Sequence, residues 1–298
     1  MTRHDPDLIQ PGRKLPRTTI CESDVPLAAA LAGDSALAII TGVDGPSYRP
    51  LGAAMAIDAQ GRCTGSLSSG CIERDVVLHA QAALADGQTR RLRYGAGSPF
   101  MDLALPCGGG LDVLVLPRPD RAAIATAADA LARRRPATLM LDAALTLEIQ
   151  PELRVLVFGK GPEARCFAAL AAAAGYATQI HSPEEETRAG LPGGPLPGPR
   201  WPKEVQIDAR SAVTLFFHDH DWEPPLLAHA LASDALYIGA QGSLRAHRSR
   251  CAELARLGVA QAQIDRLASP FGLVTSARDP RMLAASVLAQ VLERARLG

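Results

Sequence analysis

The residues of this chain best suited to chemistry are two cysteines that lie beside glycines, Cys71 and Cys107. Cys107 precedes the glycine run Gly108–Gly110, and the apolar run Leu111–Leu116 follows directly. Because glycines carry no Cβ, a ligand could lie against their amides next to a sulfur atom, which is a soft metal ligand. A small buried cysteine ahead of a strand explains this stretch equally well when the stretch is taken alone. A second cysteine in a similar stretch, Cys71, favours a binding site over a buried cysteine.

Cys71 lies in a turn of small residues, Gly65–Glu73, immediately before a predicted helix over Arg74–Ala85. At a helix start, unpaired N–H groups and the helix dipole favour an anion and lower the pKa of a nearby thiol. The candidate binding residues of this turn are Ser69, Gly70, Cys71 and Glu73. The alternative is a capped helix with a buried cysteine.

A third candidate, Arg49, is the only cation of the loop Gly42–Gly52 and could bind an anion, although a local ion pair is more frequent for such an arginine. Several short elements are predicted around these residues: a helix at Pro26–Ala32, strands at Leu37–Thr41, Arg91–Tyr94 and Leu111–Leu116, and a hairpin of Ala53–Asp58 with Cys63–Leu67. They predict a mixed α/β first domain over residues 21–119, after a flexible lead-in at residues 1–20.

Three motifs in this half carry a resemblance to a known family: Gly45–Met55, Gly65–Glu73 and Pro106–Gly109. In this order they resemble the amino-terminal domain of the xanthine dehydrogenase accessory factors, the XdhC/CoxI family. The second motif of that family usually carries two glycines before its cysteine, and here Ser69 stands in the first of those places. Serine permits a tight turn, but a positive φ there would be strained.

After a linker helix and hairpin at residues 120–150, a buried strand, a glycine turn and a helix are predicted at Val155–Phe158, Gly159–Ala164 and Arg165–Ala174. The pattern is typical of a Rossmann-like, doubly wound parallel sheet, which we expect over residues 151–298. Gly159 and Gly161 are its candidate nucleotide-binding residues. The acidic residue that binds the ribose of a dinucleotide at the end of the next strand is absent, because His181 stands there. The pattern therefore predicts the Rossmann-like fold more strongly than it predicts a bound dinucleotide.

The resemblance continues through this half and covers nearly the whole chain beyond the first 20 residues or so. The chain departs from the family pattern at Pro162, His181–Pro183, Phe217–His220 and Gly242–Arg245. All four positions are predicted at the C-terminal ends of strands, where a doubly wound sheet binds ligands. We therefore expect this domain to hold a ligand different from that of other members, or none.

Composition narrows the class of protein. Lys plus Arg and Asp plus Glu number 31 each, so no net field directs the chain to nucleic acid or to a membrane surface. The six cysteines form no C-x-x-C pair, the start lacks the pattern of a secretory signal, and no apolar run is long enough to span a membrane. These features predict a cytoplasmic protein with reduced thiols.

The resemblance implies a protein that binds the molybdenum cofactor, protects it, supports its sulfuration and inserts it into an apo enzyme of the xanthine dehydrogenase or aldehyde oxidoreductase type. Such a protein is a maturation factor rather than a turnover enzyme, so no catalytic residue is assigned. The cofactor, as molybdopterin or its cytidine dinucleotide form, carries a phosphate, a flat pterin and a molybdenum held by sulfur. The hypothetical roles are Cys107 near molybdenum, the amides of Gly108, Gly109 and Gly110 along the pterin, Cys71 beside it, and Arg49 toward the phosphate.

The expected partners are the apo molybdoenzyme, a cysteine desulfurase, a cofactor nucleotidyltransferase and a second copy of the chain. Two other functions fit the same residues. One is an NAD(P)-binding oxidoreductase that uses the Rossmann-like domain, which lacks an identified proton donor. The other is a scaffold that docks the target enzyme and a sulfur donor without holding the cofactor.

Overall fold

The computed structural model of the protein describes residues 17–96, 98, 108–142, 145–219 and 221–296. These residues form two compact units, one ending at Pro151 and the other spanning Glu152–Arg296. Cys107 lies outside the described residues. Among the helices that are described, none has both the length and the apolar character needed to cross a membrane.

The strands of the first unit are, in chain order, β1 (Thr18–Cys21), β2 (Ser35–Asp44), β3 (Ala54–Asp58), β4 (Cys63–Gly65), β5 (Arg90–Gly95), β6 (Gly110–Pro117), β7 (Ala137–Asp142) and β8 (Leu145–Gln150). Its helices are α1 (Leu27–Leu31), α2 (Glu73–Asp86) and α3 (Arg121–Ala132). The predicted elements of residues 21–119 are all present, with ends that differ by a few residues. This unit is therefore mixed α/β, as predicted.

The central sheet of the first unit is antiparallel, in the order β4-β3-β2-β6-β5. The middle strand β2 begins with six consecutive buried residues, which explains its central place. At the other end of β2, Asp44 pairs with Gly110, and Gly110 pairs with Gly95. On the opposite side of the sheet, Met55 pairs with Gly65.

This register brings the three sequence motifs together. Residues 45–53 connect β2 to β3, residues 66–72 connect β4 to α2, and residues 96–109 connect β5 to β6. Because neighbouring strands are antiparallel, all three connections leave the sheet at the same end. We call this end of the first sheet the loop end.

A second, three-stranded sheet supports the loop end. Strand β8 pairs in parallel with β1 and antiparallel with β7. Residues 18–20, expected in a flexible lead-in, thus lie in a strand. Residues 120–150, expected as a linker, form α3, β7 and β8, whose apolar side chains belong to the core of the first unit. Gly52 packs on this sheet: at φ +89, its Cβ would lie 3.1 to 3.3 Å from Thr18, Leu147 and Ile20.

The strands of the second unit are β9 (Arg154–Gly159), β10 (Ala177–Ser182), β11 (Gly193–Pro195), β12 (Ser211–Phe216), β13 (Tyr237–Ala240) and β14 (Leu267–Ala268). Its helices are α4 (Gly161–Ala173), α5 (Glu185–Arg188), α6 (Glu223–Leu231), α7 (Leu244–Arg256), α8 (Gln261–Ile264) and α9 (Pro280–Ala295). All the strands are parallel, in the order β11-β10-β9-β12-β13-β14.

This order is that of a Rossmann-type sheet, with its switch point between β9 and β12. The predicted doubly wound parallel sheet is confirmed. Helices α4 and α9 cover one face of the sheet, while α6 and α7 contribute to the core on the other. The buried strands β9 and β12 read as continuous apolar runs because both of their faces are covered.

Candidate functional site

The turn between β4 and α2 is built around the carboxylate of Glu73, the first residue of α2. Six hydrogen bonds from the turn converge on it. Oε1 accepts from the Ser66 hydroxyl at 2.9 Å, from the Leu67 N–H at 3.1 Å and from the Ser68 N–H at 2.8 Å. Oε2 accepts from the Ser68 hydroxyl at 2.6 Å, from the Gly70 N–H at 2.8 Å and from the Ile72 N–H at 3.2 Å. The anion predicted for this turn is therefore supplied by the chain itself.

The environment of Glu73 fixes its charge. Burial alone would raise the pKa of this carboxyl, but the hydroxyl and amide of Ser68 and the hydroxyl of Ser66 outweigh burial and lower the pKa to about 2. The carboxylate also lies at the N-terminus of a helix, where negative charge is stabilised. Glu73 is thus ionised throughout the neutral range.

The turn presents Cys71 to solvent. Leu67 and Ile72, on either side, are buried and anchor the turn in the core. Between them, Ser69 adopts φ +61 and Gly70 adopts φ +111, so two successive left-handed residues wrap the chain around the carboxylate. The strain expected for a positive φ at Ser69 is thus present. Cys71 is exposed, so the alternative of a buried cysteine does not apply to it.

The glycine run reaches the loop end from the opposite side. Gly109 and Gly110 are buried, and a Cβ on either would collide with neighbouring atoms: the carbonyl oxygen of Pro46 at Gly109 and the guanidinium of Arg93 at Gly110. Gly108 is exposed and adopts φ +71, and none of the described residues lies within 4 Å of its Cβ position. Two of the three glycines therefore serve close packing, and Gly108 is the one that faces open space.

Arg49 is held by an ion pair. Its Nη2 donates to Oδ1 of Asp24 at 2.6 Å, and both side chains are largely buried, at 29% and 21% exposure. Its Nε is buried without a hydrogen-bond partner. The structure thus shows the local ion pair that was the alternative to an anion contact, and any anion at Arg49 would have to compete with Asp24.

Several side chains at the loop end escaped the sequence interpretation. Arg93 links both strands beside the glycine run, since it contacts Asp44 at the end of β2 and Asp112 in β6, the latter at 3.1 Å. The Tyr94 hydroxyl donates to Asp75 at 2.6 Å and so ties β5 to the first turn of α2. These pairs join residues distant in sequence, and no local pattern marks them.

Tyr48 was also missed, although it lies within the first motif. Tyr48 is 64% exposed, so its aromatic side chain can be reached from solvent. Its signal in the sequence was an aromatic residue among turn formers, between Pro46 and Pro50. Among the described residues of the loop end, the exposed groups include the Cys71 thiol, the Gly108 backbone and the Tyr48 ring.

The glycine turn of the second unit holds a carboxylate of its own. Gly161, at φ +75, donates its N–H to Oε2 of Glu184 at 3.0 Å and to the Thr187 hydroxyl at 2.9 Å. Thr187 in turn donates to the same carboxylate oxygen at 2.7 Å. Gly159 lies against Phe216 so closely that a Cβ would clash.

Two neighbouring side chains at this switch point have partners as well, whereas both ring nitrogens of His181, at the end of β10, are buried without a hydrogen-bond partner among the described residues. The Lys160 ammonium lies 4.8 Å from the centre of the Trp222 ring, and His218 lies 3.8 Å from Glu163. A dinucleotide pyrophosphate would need the Gly161 amide that Glu184 occupies. The residues at this turn therefore do not fit a dinucleotide. Nor does the described part of the chain group three His, Cys, Asp or Glu side chains as metal ligands.

Comparison with known proteins relates both units to one family. Residues 29–95 match the XdhC and CoxI family, and residues 155–291 match the XdhC Rossmann domain. The chain is 30% identical over 283 residues to "Molybdenum cofactor insertion chaperone PaoD" of Escherichia coli, a match that covers 88% of this chain and 84% of the relative.

Two further relatives share the architecture. A protein of Bacillus subtilis, described as a probable xanthine dehydrogenase subunit, is 24% identical, over 87% of this chain and 93% of its own length. A solved structure described as a xanthine dehydrogenase from Bacillus halodurans superposes with a TM-score of 0.70 at 22% identity, covering 91% of this chain and 95% of that one. The likeness to that structure supports the fold.

Proposed function

Because the chain belongs to the XdhC and CoxI family, we propose that it binds the molybdenum cofactor and delivers it to an apo molybdoenzyme of the xanthine dehydrogenase type. In this proposal the chain is a maturation factor rather than a turnover enzyme. The relative PaoD, similar over most of both chains, is described as an insertion chaperone for this cofactor.

The observation that carries the proposal is the meeting of the three motif loops at the loop end. Residues 45–53 follow β2, Gly108 and Gly109 precede β6, which pairs with β2, and the Cys71 turn leaves the same end of the sheet. An exposed thiol, an exposed aromatic ring and an open glycine backbone suit a ligand with a soft metal and a flat ring system.

These groups suit the metal and the pterin of the cofactor but not its phosphate. The Cys71 sulfur would contact the metal end, together with Cys107, which lies outside the described residues. The Tyr48 ring and the Gly108 backbone would pack along the pterin. The turn around Glu73 would not hold the phosphate, because its donors already bind a carboxylate. When bound, the cofactor supplies the metal centre that the client enzyme lacks.

Finer parts of the proposal concern the partners. We propose that the chain supports sulfuration by bringing a cysteine desulfurase to the bound cofactor, and that a nucleotidyltransferase supplies the cofactor as molybdopterin or its cytidine dinucleotide form. We propose further that the chain acts as a homodimer in the cytoplasm. The Rossmann-like unit would take part through its surface, since its glycine turn does not fit a dinucleotide.

The test is a transfer experiment. The protein is purified from cells that make the cofactor and mixed with a purified apo enzyme of the xanthine dehydrogenase type. We expect the apo enzyme to gain activity with the native chain, and to gain much less with Cys107→Ala or Cys71→Ala. Activation that is equal with and without the chain would refute the proposal. Binding of the client by a chain that carries no molybdenum or pterin would refute it in favour of the scaffold function.

A further inference from the structure

We infer that Glu73 is a positioning residue, whose carboxylate holds the turn at residues 66–72 in the shape that presents the Cys71 thiol at the loop end. Glu73 acts through the turn and does not touch the cofactor. The inference rests on the proposed function for its biological meaning, but the shape of the turn can be tested without it.

The first argument is the hydrogen bonding on either side of the cysteine. The N–H groups of Gly70 and Ile72, the residues that flank Cys71, both donate to Oε2 of Glu73, at 2.8 and 3.2 Å, and the Ile72 N–H is shared with the Ser68 hydroxyl oxygen at 3.1 Å. Two amides bound to one oxygen fix the backbone of the residue between them. The direction in which the Cys71 side chain leaves the turn therefore depends on the position of the Glu73 carboxylate.

The second argument is the chemistry of the acceptor. An ionised carboxylate offers only acceptor sites, and all six groups that surround Glu73 are donors. A glutamine side chain of the same length would direct an NH₂ group at some of these donors. Charge-assisted hydrogen bonds of this kind are also stronger than neutral ones. The turn therefore requires an anion, and not merely a side chain of the right size.

A consequence for specificity follows. In many proteins a turn of this kind at a helix N-terminus binds phosphate. Here the internal carboxylate fills that place, so an external phosphate would meet a negative charge instead of free amides. The turn therefore favours the metal end of the cofactor over its phosphate end, with Cys71 as the exposed group.

The experiment measures alkylation of Cys71 by iodoacetamide in the full-length chain, read by mass spectrometry. Cys63 is the internal reference, because it is exposed and lies in β4, at the far end of that strand from the turn. In Glu73→Ala we expect the ratio of Cys71 to Cys63 labelling rates to rise at least about three-fold, because the backbone at Cys71 loses the oxygen that fixes it and the reagent can approach the thiol from more directions. Acetate should then bring the ratio back toward the native value, because a small carboxylate refills the vacated place. The native chain should not respond to acetate.

A second variant keeps the inference testable if Glu73→Ala does not fold. Ser68→Ala keeps the carboxylate but removes the hydroxyl that donates to it at 2.6 Å, so we expect a smaller rise in the same ratio. An unchanged ratio in both variants, or a raised ratio in Glu73→Ala that acetate does not lower, would overturn the inference.

The proposed function and the positioning role of Glu73 can be refuted independently of each other. If Glu73→Ala shows the acetate-dependent labelling while Cys71→Ala still loads the cofactor normally, Glu73 positions the thiol but Cys71 has no part in the proposed function. If the labelling does not depend on Glu73 while Cys71→Ala loses the cofactor, the proposed function stands and the role of Glu73 is wrong.

Discussion

Each unit of the protein has a small-residue turn that leads into a helix, at residues 66–72 before α2 and at Gly159–Gly161 before α4. In both turns a carboxylate of the chain accepts from the turn's own amides, Glu73 in the first and Glu184 in the second. Such turns are typical of anion sites, and the pair shows that the anion can be internal. The pattern alone therefore does not identify a ligand.

The two turns differ in what the internal anion achieves. Glu73 follows its turn directly, gathers six donors and leaves an exposed cysteine at the surface. Glu184 comes from a segment after β10, receives one amide that is shared with Thr187, and lies beside no exposed cysteine. The first arrangement presents a reactive group, while the second closes a nucleotide position. The loop end of the first unit is thus the better candidate site.

The largest expected effect concerns the second unit, where we ask whether the buried ion pair of Glu223 and Arg250 stabilises the fold. Arg250 donates to both oxygens of Glu223 at 2.9 Å, and both side chains are at most 2% exposed. Removing one partner leaves a buried charge, so we expect Glu223→Ala to lower the free energy of unfolding by about 3 to 5 kcal/mol. The measurement is urea unfolding.

Glu253→Ala, in the helix α7 that also carries Arg250, is the matched control, because its partner Arg256 is 73% exposed. We expect this control to change the free energy of unfolding by no more than about 0.5 kcal/mol. Equal costs for the two variants would show that the buried pair does not stabilise the second unit.

The next effect concerns acid. The pKa of Glu73 is lowered from its ordinary value of 4.5 to about 2 in the folded chain, so its contribution to stability is complete above the unfolded value and is lost as the pH falls from about 5 toward 2. Because the carboxyl is partly exposed, we expect this contribution to be about 1 to 2 kcal/mol.

The test is urea unfolding of the native chain and of Glu73→Gln at pH 6 and pH 3.5, which spans the upper part of the pH range over which the contribution is lost. The native chain should lose more stability than the variant between these two values. An identical loss would mean that the folded and unfolded pKa values of Glu73 are the same, against the geometry of the turn.

The smallest effect belongs to the second turn. We expect Glu184→Ala to lower the free energy of unfolding by only about 0.5 to 1 kcal/mol, because Thr187 still accepts from Gly161. Glu185→Ala is the neighbouring control.

We also expect the native chain to show no saturable change in NADH fluorescence up to about 1 mM. Saturation in the micromolar range would revive the oxidoreductase function and remove the contrast between the turns.

Much of the fold follows from local sequence patterns. Continuous apolar runs such as Val155–Phe158 predict buried parallel strands, and glycines such as Gly87, at φ +73, mark helix ends. The first strand was missed because Thr18–Cys21 is stabilised by its pairing with β8, more than 120 residues away. A lead-in rich in turn formers gives no local sign of such a partner.

The site was predictable in part. The sequence singled out the Cys71 turn and the glycine run because their residue types are unusual at those spacings, and their role as a cofactor site stays a prediction. The partners were not found, because hydrogen bonds do not follow spacing. Glu73 looked like a ligand contact and is the anion of its own turn. For Arg49 a local ion pair was the alternative to an anion contact, but the sequence did not identify Asp24 as its partner. A sequence shows which groups need partners, whereas only the fold shows which partners they have.

The most direct test of the central claim is the cofactor content of the chain itself. Molybdenum and pterin are measured per chain in the native protein, in the double variant Cys71→Ala/Cys107→Ala and in Cys63→Ala, each purified from cells that make the cofactor. If the loop end binds the cofactor, the double variant should lose at least about ten-fold of the bound molybdenum and pterin, while Cys63→Ala should match the native chain. Equal loading of the double variant and the native chain would contradict a cofactor site at the loop end.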